Sequence, residues 1–209
     1  WPHLGRELFP RSDAGQLTIT LRAASGTRLE RTEALAAVAE RVVREVIPAG
    51  DVTHVIANVG ILYDWPAAYT PNAGTSDAFL LVELAEERTA SAPSYARRLR
   101  SALAEALPEA EIAVDVGGLM TAVFSDGAPA PLVVALDGAS ADDARRLLPD
   151  LVARARAVEG ATDVRVQERL DQPGVRVVVD RIRAAERGLS AADVVRNAAA
   201  AMTSSVNFE

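Results

Sequence analysis

His3 and His54 are the only imidazoles in a chain of 209 residues, and no cysteine accompanies them. A zinc site would need both drawn together with carboxylates. They fall on different predicted elements, so each reads as a surface or hydrogen-bonded histidine. Ser204 and Ser205 have no His or Asp partner at a spacing that would make either a nucleophile. Neither a Gly-x-Gly phosphate cradle nor a Gly-Lys-Ser/Thr loop is present. Asp180 precedes a helical stretch and reads as its N-cap. The residues therefore predict no catalytic centre, no metal site and no cofactor, and the chain reads as a protein that is not an enzyme.

One segment does suggest chemistry, of a binding kind. Residues 60–76 form a connection between two predicted strands that far exceeds the ~2–5 residues of a common hairpin loop. It carries Tyr63, Trp65 and Tyr69 together with Pro66 and Pro71. Packed on themselves, these aromatics would order the loop. Exposed, they would offer contact area to an apolar ligand or partner.

The elements around this loop follow from hydrophobic periodicity. Leu17, Ile19 and Leu21 alternate with Thr18, Thr20 and Arg22, predicting a half-buried strand over 16–23. Thr27 and Glu30 have capping-box spacing at the start of a helix reaching about Ile47, with Leu35, Val38, Val42 and Val46 on one face. Strands are predicted at 51–59 and 78–86. Pro93 suits the first turn of a second helix, with Ala96, Leu99, Leu103 and Leu107 facing inward, and a fourth strand spans 111–116. The order β-α-β-β-α-β is that of a ferredoxin-like layer.

The pattern then restarts. A strand at 132–136, a helix capped by Ser140 and Asp143 that contains Pro149, and strands at 162–170 and 175–179 around the turn 171–174 are predicted. A short helical turn at 181–187 and a helix from Ser190, boxed with Asp193, to about Met202 complete it. The fold class predicted is α+β, two tandem ferredoxin-like layers (1–117 and 118–209), the second missing its last strand. Such a sheet exposes an unpaired edge, so the strand is expected after an insertion or from another chain.

Composition narrows the partners. A net charge of -7 argues against nucleic acid. All basic residues are Arg, with no Lys. No apolar run approaches the ~20 residues needed to span a bilayer, so no membrane contact by this segment is expected. The N-terminus lacks the basic and apolar regions of a signal peptide. Having no initiator Met, the chain is expected to be cut from something longer.

Several phrases together are similar to a known family. Residues 4–10 (Leu-Gly-Arg-Glu-Leu-Phe-Pro), 13–16, 26–33, Val59-Gly60, 131–137, 177–181, 184–194 and 203–205 resemble, in order and spacing, resistance-nodulation-division (RND) efflux transporters. The match lies in the second large periplasmic loop, after the seventh membrane helix. The resemblance implies a third porter subdomain followed by the first part of a fourth, whose last strand follows a docking insertion. It implies a proton-driven homotrimer at the bacterial inner membrane, with this segment on the periplasmic side. The partners implied are a periplasmic adaptor, an outer-membrane channel and a small-molecule substrate. By position it places Ile56, Asn58, Ile61, Tyr63, Trp65 and Leu81 among substrate-lining residues, and Thr20, Val133 and Ala135 at the cleft between the two subdomains. In drug-exporting members the loop corresponding to 60–76 is shorter and glycine-rich. The alternative from fold alone is a small-ligand-binding regulatory module of tandem ferredoxin-like domains.

Overall fold

Alternating strands and amphipathic helices place the core of the first half between one sheet face and two helices. The computed structural model describes residues 13–60, 72–117, 132–138, 140–169, 171 and 176–202. Strands β1 (Gln16–Arg22), β2 (Val52–Val59), β3 (Asp77–Leu84) and β4 (Glu111–Val116) form one antiparallel sheet in the order β2-β3-β1-β4. Helix α1 (Leu29–Val46) connects β1 to β2, and α2 (Ala92–Ala106) connects β3 to β4. Leu17, Ile19 and Leu21 of β1 are fully buried, as are Leu80 of β3 and Val114 of β4. They pack with Leu35, Ala39 and Val43 of α1 and with Tyr95, Leu99 and Leu103 of α2. Each of the buried Leu, Ile and Val side chains contributes about 1.5–3 kcal/mol by leaving water.

A buried polar knot ties β2 to the turn before α2. Asp51 is 5% exposed and accepts hydrogen bonds from Thr89 N (2.8 Å), Thr89 Oγ1 (2.6 Å) and the hydroxyl of fully buried Tyr95. These donors, the Thr89 hydroxyl foremost, hold the Asp51 carboxyl below its usual range. A neighbouring pair, Asp13 and Arg88 (2.8 Å), anchors α2, because Asp13 also accepts from Ala92 N at 3.0 Å.

The expected cap of α1 is corrected. Its N-cap is Arg28 with no side-chain cap, and Thr27 Oγ1 donates back to the Ala24 carbonyl at 2.6 Å. That bond closes the preceding turn and takes the hydroxyl away from the helix amides. The other caps form as expected: Asp143 N donates to Ser140 Oγ at 3.2 Å, and Asp180 Oδ1 accepts from Ile182 N and Arg183 N. Ser190 and Asp193 make a reciprocal box, each backbone amide donating to the other's side chain. Pro93 lies in the first turn of α2.

β4 is an edge strand, yet its outward backbone groups at Val114 are served. Asp163 Oδ2 accepts from Val114 N (3.3 Å) and Arg100 Nη2 donates to the Val114 carbonyl. Arg100 Nε closes the triangle on Asp163 at 2.7 Å. An ion pair thus stands where a further strand would pair. Asp163 takes a left-handed backbone conformation, φ 56°. The same segment is held twice more: Arg22 Nη1 donates to the Val166 carbonyl (2.9 Å), and Arg169 pairs with buried Asp77 while donating to the Ala23 carbonyl (2.9 Å).

The second half departs from expectation. Helix α3 (Ala141–Arg156) runs through Pro149, a residue expected to kink the helix or delay its start, and starts directly after its cap Ser140. The tracts at 132–136, 162–170 and 175–179, expected as strands, carry no strand among their described residues. Apolar runs and alternation favour extended backbone but supply no ladder partner, and a strand needs one. Val134 is 78% and Val178 81% exposed. The turn expected at 171–174 lies outside the described residues except for Asp171.

Contacts divide the chain into two units, Trp1–Gln172 and Pro173–Glu209, where the sequence placed its boundary at 117/118. The clasps of Asp163, Val166 and Arg169 tie this stretch to the first layer. The second unit holds α4 (Arg181–Glu186) and α5 (Ala191–Met202).

Candidate functional site: the helix-free face of the sheet

Because side chains alternate along strands, burying Leu17, Ile19 and Leu21 turns Thr18, Thr20 and Arg22 to the other face. Register aligns that face into rows. Asn58 pairs with Phe79, Phe79 with Thr20, and Thr20 with Ala113. The next row is Ile56, Leu81, Thr18 and Asp115. Four of the predicted residues, Thr20, Ile56, Asn58 and Leu81, therefore meet on one face.

Their environments differ. Ile56 is 60% and Leu81 43% exposed, a directly paired apolar couple open to solvent. Thr20 and Phe79 are buried. Asp115 closes the apolar row with a carboxyl that burial pushes up, against the pull of Arg165. His54 and Glu83 lie two pairs further along β2 and β3, with His54 Nδ1 3.2 Å from Glu83 Oε2.

The connection 60–76 is anchored at both ends. Gly60 has φ +77°, and a Cβ there would sit 2.9 Å from Leu29 Cδ1, so only glycine fits without displacement. Gly60 N donates to Asp77 O at 2.8 Å, and Ala73 N donates to Asp77 Oδ2 at 2.8 Å. Asn72 is buried, and its amide nitrogen faces Gly60 O (2.8 Å), Asn58 Oδ1 (3.1 Å) and Asn58 O (3.4 Å). Asn72 Oδ1 is enclosed and meets no donor among the described residues.

Of the other predicted residues only Val133 and Ala135 are described, and neither belongs to this sheet. Ile61, Tyr63 and Trp65, like Tyr69, His3 and the serines at 204–205, lie outside the described residues. Val133 is 56% exposed and Ala135 is exposed, in a tract that no ladder joins to the sheet. A separate cavity of about 490 Å³ is lined by Arg22, Ser25, Glu111, Pro149, Val152 and Arg169 among others, and by none of the predicted residues. Sequence reasoning missed Asn72, Asp163 and Arg169. Their roles depend on partners 12–146 positions away, which no local spacing signals.

Among the described residues no group of three or more His, Asp or Glu could hold a metal ion, and no helix is long and apolar enough to cross a membrane. A four-stranded antiparallel sheet with both connecting helices on one face defines an α+β domain. The chain belongs to the AcrB/AcrD/AcrF family of RND efflux transporters, whose family model matches residues 1–208. Its fold is similar to that of a heavy metal efflux pump. Crystal form I of that pump aligns with a TM-score of 0.73 at 25% identity, and crystal form II with 0.70 at 23%. In both, the alignment covers 93% of this chain, which spans only 20% of the pump's length. No curated protein matches the chain.

Proposed function

We propose that this chain is a periplasmic porter segment of a proton-driven RND efflux transporter, which captures a small-molecule substrate. In this reading residues 1–117 form one porter subdomain and 118–209 the first part of the next, two tandem ferredoxin-like layers. The second is completed by a strand that follows a docking insertion. Substrate enters the cleft between the layers and meets the helix-free face carrying Thr20, Ile56, Asn58 and Leu81. Ile61, Tyr63 and Trp65 join this face from the long loop, and Val133 and Ala135 line the opposite wall. The parent protein works as a homotrimer in the inner membrane, with an adaptor and an outer-membrane channel. Carriage of protons belongs to its membrane helices.

The observation that carries the reading is the family match across residues 1–208. The exposed Ile56–Leu81 couple supports an organic substrate, since apolar surface open to water gains most from covering an apolar molecule. The regulatory alternative gains no support from the family match.

The test uses the full-length protein in cells lacking their own exporters. Its expression is expected to lower the accumulation of hydrophobic dyes, and the double change Ile56→Glu with Leu81→Glu to restore accumulation at an unchanged amount of membrane protein. Export of zinc or copper ions alone, indifferent to the double change, would overturn the placement of the site. Export of neither class would overturn the function.

A further inference from the structure

Resting on the porter reading, the hydrogen bonding at Asn58 narrows the substrate. We infer that Asn58 presents a fixed amide donor beside the Ile56–Leu81 couple, that Asn72 is the residue that positions it, and that the site selects apolar molecules bearing an uncharged oxygen acceptor such as a carbonyl or ether.

The argument starts at a backbone carbonyl, which cannot donate. Gly60 O lies 2.8 Å from the Asn72 amide, so the group facing it is the nitrogen. The opposite orientation would set two acceptor oxygens against each other. Asn72 is only 9% exposed and bound on the other side by Asn58, so it has no solvent in which to turn. With its nitrogen fixed, the Asn58 atom 3.1 Å away must be an acceptor, namely Oδ1. One planar amide therefore dictates the orientation of another. The Asn58 nitrogen is left over, and among the described residues it donates to nothing.

Strand alternation places that donor. Val55 and Val59 pack against the core, so Ile56 and Asn58 project from the opposite face. Asn58 lies two residues from Ile56 on β2, and its partner Phe79 lies two residues from Leu81 on β3. A molecule laid on the apolar couple would bring a carbonyl or ether oxygen to the amide. A molecule of equal shape without an acceptor would leave that donor unpaired, and selectivity of this kind comes from polar groups stranded by the wrong ligand.

The test uses a matched pair, 1-acetylnaphthalene and 1-ethylnaphthalene, similar in shape and differing in the carbonyl. Binding to the full-length transporter in lipid nanodiscs is measured by equilibrium dialysis against empty nanodiscs. The unaltered protein is expected to prefer the ketone by about tenfold, the worth of one neutral hydrogen bond. Asn58→Asp keeps the acceptor for Asn72 and replaces the free donor with an oxygen, so the preference should fall below about twofold. Asn72→Ala should reduce the preference by a larger factor than it lowers the affinity for 1-ethylnaphthalene, whereas a merely structural role would lower the affinity for both compounds alike. Equal binding of the two compounds by the unaltered protein, or a tenfold preference surviving Asn58→Asp, overturns the inference and leaves the porter reading standing. Binding of neither compound overturns the inference and, with it, the placement of the site on the Ile56–Leu81 couple.

Discussion

Asp51 is a carboxylate enclosed by its own donors, and its protonation state is tied to folding. The Thr89 and Tyr95 hydroxyls and the Thr89 amide favour the charged form, so the folded value lies below the ordinary one of about 3.9. The stabilisation is complete above that ordinary value and is lost as pH falls through the lower folded value. Asp51→Asn should lower the melting temperature at pH 7, and the curves of the two proteins should converge on acidification towards pH 3. Parallel curves across that range would refute the role given to the charge. Asp115 runs the other way. Its carboxyl is pushed up by burial, so the charged form is a cost above about pH 4. Asp115→Asn is expected to raise the melting temperature slightly at pH 7 and not at pH 3. Gly60 is a matter of backbone alone. With φ +77° and Leu29 Cδ1 in the way of a side chain, Gly60→Ala should cost about 1–3 kcal/mol in urea denaturation.

At the scale of elements, the ion pair on β4 makes a prediction that the ladder alone would not. Val114 N donates to Asp163 and Val114 O accepts from Arg100, so removing the carboxylate reopens the sheet edge. Asp163→Ala is expected to speed amide exchange at Val114 and to increase self-association on size exclusion. Exchange unchanged at Val114 would show that the carboxylate does not guard it. Ser190→Ala, which removes the hydroxyl from a reciprocal box, should destabilise α5 by about 1 kcal/mol, read from its backbone chemical shifts.

The legibility of the sequence divides along the same line. Alternation and helical period located β1 to β4 and both core helices within about two residues at each end. They did so because each pattern reports which face meets the core. The same alternation sorted Thr20, Ile56, Asn58 and Leu81 onto one face. At 132–136, a continuous apolar run, and at 162–170 the pattern reads as strand but no strand forms among the described residues. Thr27 failed as a cap because a nearer carbonyl, that of Ala24, competed for its hydroxyl. Asn72 was invisible for a different reason, since its three acceptors belong to residues 58 and 60, across the long connection.

For the whole molecule, the two units raise a question of completion. Leu132, Val134 and Val178 are more than three-quarters exposed, which a sheet face would normally cover. If the porter reading holds, these tracts pair in the full-length protein. Amide exchange at 132–136 and 176–180 is then expected to be slower there than in the 209-residue chain by tenfold or more. Equal exchange in the two would count against a second layer completed elsewhere in the parent protein.

The contacts at Asp163, Val166 and Arg169 fall at intervals of three residues along one strip of chain. Such a strip has a mechanical character. Tension applied beyond Asp171 would load its bond from Ser25 first, then Arg169, then Val166, then Asp163, so the bonds would yield one after another rather than share the force. The seam peels under a small steady load, whereas the four strands beside it, pulled along their length, must break their rungs together. Pulled from the Asp171 end in a force experiment, the strip is therefore expected to detach stepwise at lower force than the sheet that carries Ile56, Asn58 and Leu81.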